Sequence, residues 1–219
     1  MSLVPSSLRR AFEAILAPII EALIRAKVSP NVLTTLGTGV IIGSGYAFAV
    51  GAAHWGGALF LLSGIFDMLD GRVARSGVGM TPFGAFYDST LDRVGDAAIF
   101  GGILLFFMNG GLPDRWVTIG VVTALVALSA ALTVSYARAR AEGLGLECNV
   151  GIAQRAERIL GLGVPMLVFG AGPDGFLLFG VVTVLALTSV ITVGQRIVHV
   201  YRITKGNKRP TQSRWVAQP

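Results

Sequence analysis

Long apolar runs, broken by short clusters of glycine, proline and polar residues, set the pattern of this chain. A helix that crosses a bilayer needs about 20 mostly apolar residues. Six stretches approach that length: 32–52, 57–76, 84–108, 116–141, 156–172 and 176–199. Turn-forming breaks from Gly51 to Gly57, Gly77 to Pro82, Asn109 to Asp114 and Gly172 to Gly175 separate several of them. The fifth stretch is interrupted by Gly161, Gly163 and Pro165. Residues 6–27 follow another rule. Leu8, Phe12, Ile15, Ile19, Ile20 and Leu23 recur at helical spacing, while Arg9, Arg10, Glu13, Glu21 and Arg25 take other faces. That pattern predicts a helix lying along a membrane surface rather than through it. The expected fold is an all-α integral membrane protein with six transmembrane helices and an N-terminal amphipathic surface helix. Its regions are a juxtamembrane helix (1–28), a six-helix domain (29–204) and a basic tail (205–219) facing anionic headgroups.

Composition agrees with the pattern. Of 219 residues, 53% are hydrophobic and 14% charged, against about 25% charged in a soluble domain. The lone cysteine, Cys148, permits no intramolecular disulfide and reads as a small loop residue. The placement of lysine and arginine says more than the net charge of +6. Arg9, Arg10, Arg25 and Lys27 precede the first run, Arg72 and Arg75 end the second, and Arg138, Arg140, Arg155 and Arg158 lie between the fourth and fifth. Arg196, Arg202, Lys205, Lys208, Arg209 and Arg214 close the chain, and the opposite loops hold only Arg115. The positive-inside rule then places both termini in the cytoplasm, in a multi-pass protein of the cell membrane. Gly39 and Gly43 form a small-xxx-small spacing and are expected to let helices pack closely.

Acidic residues in apolar spans are costly and usually functional. Asp67 and Asp70, three apart, share a face at the end of the second run, and Asp88 and Asp92, four apart, share one early in the third. Both pairs fall near the expected cytoplasmic end, where they can converge on one polar pocket. Bare carboxylates there would repel one another, and two divalent cations would neutralise them. Oxygen ligands favour Mg²⁺, Mn²⁺ or Ca²⁺ over Zn²⁺. Two such ions can clamp the attacking and leaving oxygens of a phosphoryl displacement. The plainer alternative is helix caps and ion pairs with Arg72, Arg75 and Arg93. Asp96 continues the Asp88/Asp92 face and suits an ion pair with Arg93.

The run Asp67-x2-Asp70-Gly71-x2-Ala74-Arg75-x8-Gly84-x3-Asp88-x3-Asp92 has eight fixed residues within 26 positions. At every one of them it resembles the CDP-alcohol phosphotransferase motif. The resemblance implies that Asp67, Asp70, Asp88 and Asp92 hold Mg²⁺, as two ions, with Mn²⁺ also possible. It implies that Asp92 is the general base on the acceptor hydroxyl, and that Gly71 and Arg75 contact the CDP part of a CDP-diacylglycerol or related donor. Thr81 is similar to a donor-binding position. Pro30 and Asn31 in SPNVLT resemble a nucleotide-contacting turn, and equally suit a plain helix start. A homodimer is implied as well. The chemistry is consistent: glycine lets backbone approach a phosphate, and arginine matches its charge and shape.

Residues 135–158, SYARARAEGLGLECNVGIAQRAER, resemble the corresponding segment of phosphatidylinositol-phosphate synthases. That resemblance implies an acceptor phosphate gripped by Arg138, Arg155 and Arg196, with inositol phosphate as acceptor. Arg138 stands where the relatives usually carry lysine, which keeps the charge and changes the shape. A basic grip suits glycerol 3-phosphate as well, so phosphatidylglycerophosphate synthesis is the alternative. A free alcohol would leave the arginines without a phosphate, and an ester or ether lipid donor would serve equally. A cation transporter would place its acids near the bilayer midplane, commonly in repeated halves. No internal repeat is present here, and the acids gather at one end with Gly71 and Arg75. Membrane lipids are expected partners and nucleic acid is not.

Overall fold

The computed structural model describes residues 6–78, 80–152 and 155–206, with the side chains of 6–14, 77–78 and 206 left undescribed. The tail expected at 205–219 lies outside the described residues from 207 onward. The described chain is all helical. Its helices are α1 (Ser6–Arg25), α2 (Pro30–Ala49), α3 (Ala53–Val73), α4 (Pro82–Phe106), α5 (Asp114–Gly143), α6 (Arg155–Phe169) and α7 (Phe176–Gly206).

Local chemistry explains the starts and stops. Pro30 and Pro82 sit in the first turns of α2 and α4, where a missing N–H costs nothing. Thr81 caps α4, its Oγ1 accepting from Gly84 N at 2.9 Å. Gly51, at φ +80°, turns the chain out of α2. Helix α3 then resumes at Ala53, earlier than the glycines at 56 and 57 suggest. Gly56 is no breaker, because a Cβ there would press on the Phe48 ring at 2.9 Å. Helix α6 runs through Gly161, Gly163 and Pro165 without a break. Two π-type turns, Ala74–Val78 and Phe107–Gly111, extend α3 and α4; such widened turns recur at functional sites.

Helix α2 packs on α3 and α4, α3 on α6, α4 on α5, and α5 on α7. The core joins Phe48, Phe60, Ile99, Ile103, Phe107, Leu162, Met166 and Val182. The close approach of α2 to α4 uses Gly45 and Gly102, since a side chain on either would run into the partner helix backbone. Gly39 and Gly43, the expected packing pair, make no such close approach among the described residues. Gly39 faces open space and Gly43 meets only the tip of Leu59 at 3.8 Å, so that face of α2 is the one turned away from α4. Cys148 is fully buried in the α5–α6 connection.

The outer surface is strongly apolar, with Leu36, Ile42, Leu125, Val184, Leu187 and Ile191 among many exposed side chains. Contiguous apolar surface on that scale is unsuited to water and suited to lipid. Three segments, Pro30–Ala49, Asp114–Gly143 and Pro173–Lys205, are long and apolar enough to cross a bilayer, which marks a membrane protein. Helix α6, at 15 residues, is shorter than these, and α3 and α4 carry the aspartates of the site. In α1, Leu16 is buried while Ile20, Leu23 and Ile24 pack against Leu33, Leu69 and Val73. Ile15 and Ile19 remain exposed.

Candidate active site

The end of α3 and the start of α4 bring four aspartates to one narrow cleft of about 290 Å³, counting its open mouth, lined also by Thr34, Ser63 and Arg155. Asp67, Asp70 and Asp88 form the tight part, each offering a carboxylate oxygen within 4.8 Å of the others. Asp70 is the most buried of them, and its Oδ2 accepts a 2.9 Å hydrogen bond from Thr34 Oγ1 on α2. Asp92 stands beside this triad and is engaged differently. Its Oδ1 lies 2.7 Å from Arg155 Nη2, and its Oδ2 lies 3.5 Å from Arg93 Nη2. Arg155 also reaches Asp67, with Nε at 3.5 Å from Oδ2.

A groove of about 860 Å³, counting its open mouth, adjoins the cleft and shares Thr34, Asp70 and Asp88 with it. Pro30, Asn31, Gly71, Arg75 and Thr81 all line this groove, together with Gly84. The five residues expected at the donor are therefore gathered in one place. Two glycines shape this wall, with little room for a side chain at Gly84 and ordinary contact at Gly71. A Cβ on Gly71 would lie 3.4 Å from both terminal nitrogens of Arg75, and one on Gly84 would lie 3.0 Å from Thr81 Oγ1 and 3.3 Å from Asn31 Oδ1.

The three expected acceptor arginines are not brought together in the cleft. Arg155, the first residue of α6, lines it. Arg138 is exposed on α5, its Nε 2.7 Å from Glu142 Oε1. Arg196 is buried, its Nε donating to Val150 O at 3.0 Å and its Nη1 donating to Val134 O. Arg196 lies within electrostatic reach of Arg138 and Arg158, and Arg158 within reach of Arg155. A trail of arginines, three of them paired with carboxylates, thus leads from the cleft toward the end of α5.

The family model for CDP-alcohol phosphatidyltransferase matches residues 27–197. The chain belongs to the CDP-alcohol phosphatidyltransferase family. It is an enzyme of that class. Among its relatives, a phosphatidylinositol phosphate synthase of Cutibacterium acnes is 40% identical over 202 residues, 89% of this chain and 96% of the relative. A protein of the same name from Mycobacterium marinum is 37% identical over 206 residues, covering 92% and 86%. An archaetidylinositol phosphate synthase of Methanothermobacter thermautotrophicus is 38% identical over 186 residues, covering 83% and 87%. The crystal structure of the Mycobacterium tuberculosis phosphatidylinositol phosphate synthase with CDP-DAG bound superposes with a TM-score of 0.73, at 33% identity, over 94% of this chain and 100% of that one. The same protein in complex with manganese and citrate superposes with a TM-score of 0.72, at 35% identity, over 84% and 88%.

A CDP-alcohol phosphatidyltransferase needs a place for a divalent cation, and the carboxylates of this chain fit one. Three aspartate oxygens cluster at a cleft whose lining contains neither histidine nor cysteine, a donor set for a hard cation. Two features of this phosphatidyltransferase were not singled out from sequence. Thr34 lies one helical turn after Pro30, so its position behind the groove was latent in the SPNVLT segment. The buried pair of Asp96 Oδ2 with Arg158 Nη2, at 3.5 Å, joins residues 62 apart. Its faint signal is phase: Asp96 follows Asp92 by one turn, and Arg158 follows Arg155 by one turn. Asp96 also meets the expected Arg93, at 3.9 Å.

Proposed function

We propose that the enzyme transfers the phosphatidyl group of CDP-diacylglycerol to a hydroxyl of inositol phosphate, giving phosphatidylinositol phosphate and releasing CMP. The observation that carries this reading is the position of Arg155. It lies in the aspartate cleft, and its buried Nη1 makes no hydrogen bond among the described residues. A phosphorylated acceptor would meet that guanidinium beside Asp92. The phosphatidylinositol phosphate synthases among the relatives support the same acceptor.

The donor's CDP moiety occupies the groove, with Arg75 and the backbone at Gly71 against its phosphates and Pro30, Asn31 and Thr81 along the nucleotide. Asp67, Asp70, Asp88 and Asp92 hold Mg²⁺, as two ions, with Mn²⁺ able to replace it. Bound there, the metal supplies positive charge that neutralises the phosphates and the leaving group. Asp92 takes the proton of the attacking hydroxyl. The acceptor oxygen bonds to the phosphorus nearest the diacylglycerol, the bond from that phosphorus to CMP breaks, and CMP leaves with the electron pair. Arg155 holds the acceptor's phosphate, while Arg138 and Arg196 form the outer part of the positive trail that attracts it. An ether-lipid donor presents the same headgroup chemistry.

In this reading α2 to α7 are six spans, both termini are cytoplasmic, α1 lies along the inner membrane surface, and the enzyme is a homodimer. The lipid tails then stay in the bilayer while the nucleotide faces water. The test is CMP release by the purified protein from CDP-diacylglycerol with Mg²⁺, comparing inositol phosphate, glycerol 3-phosphate and free inositol. Preference for inositol phosphate supports the reading. Preference for glycerol 3-phosphate replaces it with phosphatidylglycerophosphate synthesis, and metal-independent turnover removes the metal from it.

A further inference from the structure

The charged side chains between α4 and α6 form two rungs. Asp92 pairs with Arg155, and one turn deeper Asp96 pairs with Arg158. Asp96 and Arg158 are both buried, at 7% and 5% exposure, whereas Arg155 belongs to the open cleft. The two helices otherwise pack elsewhere, α4 on α2 and α5, and α6 on α3 and α7. The body of α6 is seated on α3 through Ile159, whose side chain lies against Gly64, and through Leu162 and Gly163. In its first turn Ala156 is exposed and Glu157 half-buried. Arg158 is the buried residue of that turn, and Arg155 lies on the same turn.

We infer that the buried Asp96–Arg158 pair is a positioning device that fixes the first turn of α6 and thereby sets where Arg155 meets the acceptor's phosphate. Asp96 and Arg158 touch no substrate in this arrangement; they act through Arg155. Arg93, 3.9 Å from Asp96 and 3.5 Å from Asp92, links the two rungs along α4. Such a device affects the acceptor and leaves the donor groove alone, since neither Asp96 nor Arg158 lines that groove. A displacement of a substrate-holding group by an ångström is enough to change turnover substantially. The inference rests on the proposed transfer to a phosphorylated acceptor.

The experiment is steady-state CMP release by the full-length protein, with CDP-diacylglycerol and inositol phosphate varied in turn. Three proteins are compared with the wild type: Asp96→Asn, the apolar pair Asp96→Leu with Arg158→Met, and the length-compensated pair Asp96→Glu with Arg158→Lys. Removing both charges of a buried pair is commonly tolerated by the fold, whereas removing one is not; thermal unfolding of each variant checks this. The expected result is a rise of about tenfold in the acceptor KM for the first two, with the donor KM changed by less than about twofold. The length-compensated pair is expected to recover most of the acceptor KM even if either of the others proves unstable. Wild-type acceptor KM in a folded Asp96→Asn or apolar-pair protein overturns the inference. So does an equal rise in both KM values, or no recovery by the compensated pair. Failure of the transfer reading shows separately, as a wild-type protein that releases no CMP with any phosphorylated acceptor, and it takes the inference down with it.

Discussion

Arg155 Nη2 lies 2.7 Å from Asp92 Oδ1, so the residue assigned to the acceptor's phosphate touches the one assigned to its proton. The contact crosses from the first residue of α6 to the third turn of α4. It places charge recognition and proton removal side by side, next to the Asp67, Asp70 and Asp88 group, which Arg155 also reaches through Asp67. A phosphorylated alcohol held by the guanidinium would present its hydroxyl near the carboxylate.

Asp92→Asn follows directly. The amide keeps the side chain's shape and cannot accept the proton, so kcat is expected to fall about 10²- to 10⁴-fold, the usual contribution of a general base. Donor binding, governed by the groove, is expected to persist. CMP release measures the first, and the rise in melting temperature on adding CDP-diacylglycerol measures the second. Turnover within about twofold of the wild type would remove Asp92 as the base.

Arg155→Ala is expected to move two affinities in opposite directions. Loss of the guanidinium weakens binding of inositol phosphate, raising its KM about tenfold or more, as loss of a charge-assisted contact does. The same loss takes a positive neighbour from both Asp67 and Asp92, leaving Asp92 with Arg93. A divalent cation then meets less repulsion, and Mn²⁺ is expected to bind severalfold more tightly. Titration followed by the Mn²⁺ paramagnetic signal gives the metal affinity without any turnover. Weaker Mn²⁺ binding in the variant would count against this balance of charges.

Thr34→Val tests the support of Asp70. Valine keeps the volume and removes the 2.9 Å hydrogen bond to Oδ2. Losing a bond to a buried charged group costs about 1–3 kcal/mol. A bound cation would compensate much of that loss, since it also stabilises the ionised carboxyl. The drop in melting temperature is therefore expected to be larger in EDTA than in Mg²⁺. An identical drop in both would separate Asp70 from the metal.

These expectations trace to sequence unevenly. The helix positions were legible because a bilayer demands long apolar runs, and the motif placed Asp67 to Asp92 at the joint of two of them. Rotational phase was not legible. Gly39 and Gly43 have a packing spacing, yet Gly45 and Gly102 make the close contact, because spacing says nothing of which face meets a neighbour. Arg196 shows the same limit from the other side. An arginine at a helix end suits a phosphate, but its nitrogens here take the carbonyls of Val134 and Val150, which only the fold brings within reach. The Asp96–Arg158 pair depends on two helices being set side by side, and no local pattern encodes that.

The donor groove can be tested independently of everything on α6. Gly71 and Arg75 are one turn apart where α3 passes into its π-type turn, and a methyl group on Gly71 would already contact the guanidinium at 3.4 Å. Valine is larger and β-branched, so Gly71→Val must push Arg75 aside and fill the wall where a phosphate would approach. The expected result is a rise in the KM for CDP-diacylglycerol of at least about tenfold, with the acceptor KM nearly unchanged. Arg75→Ala is expected to act in the same direction, and the two combined should cost less than the sum of the single losses, because part of the valine's effect is displacement of that guanidinium. Fully additive losses would mean that the valine acts on the phosphate's approach alone and leaves Arg75 in place.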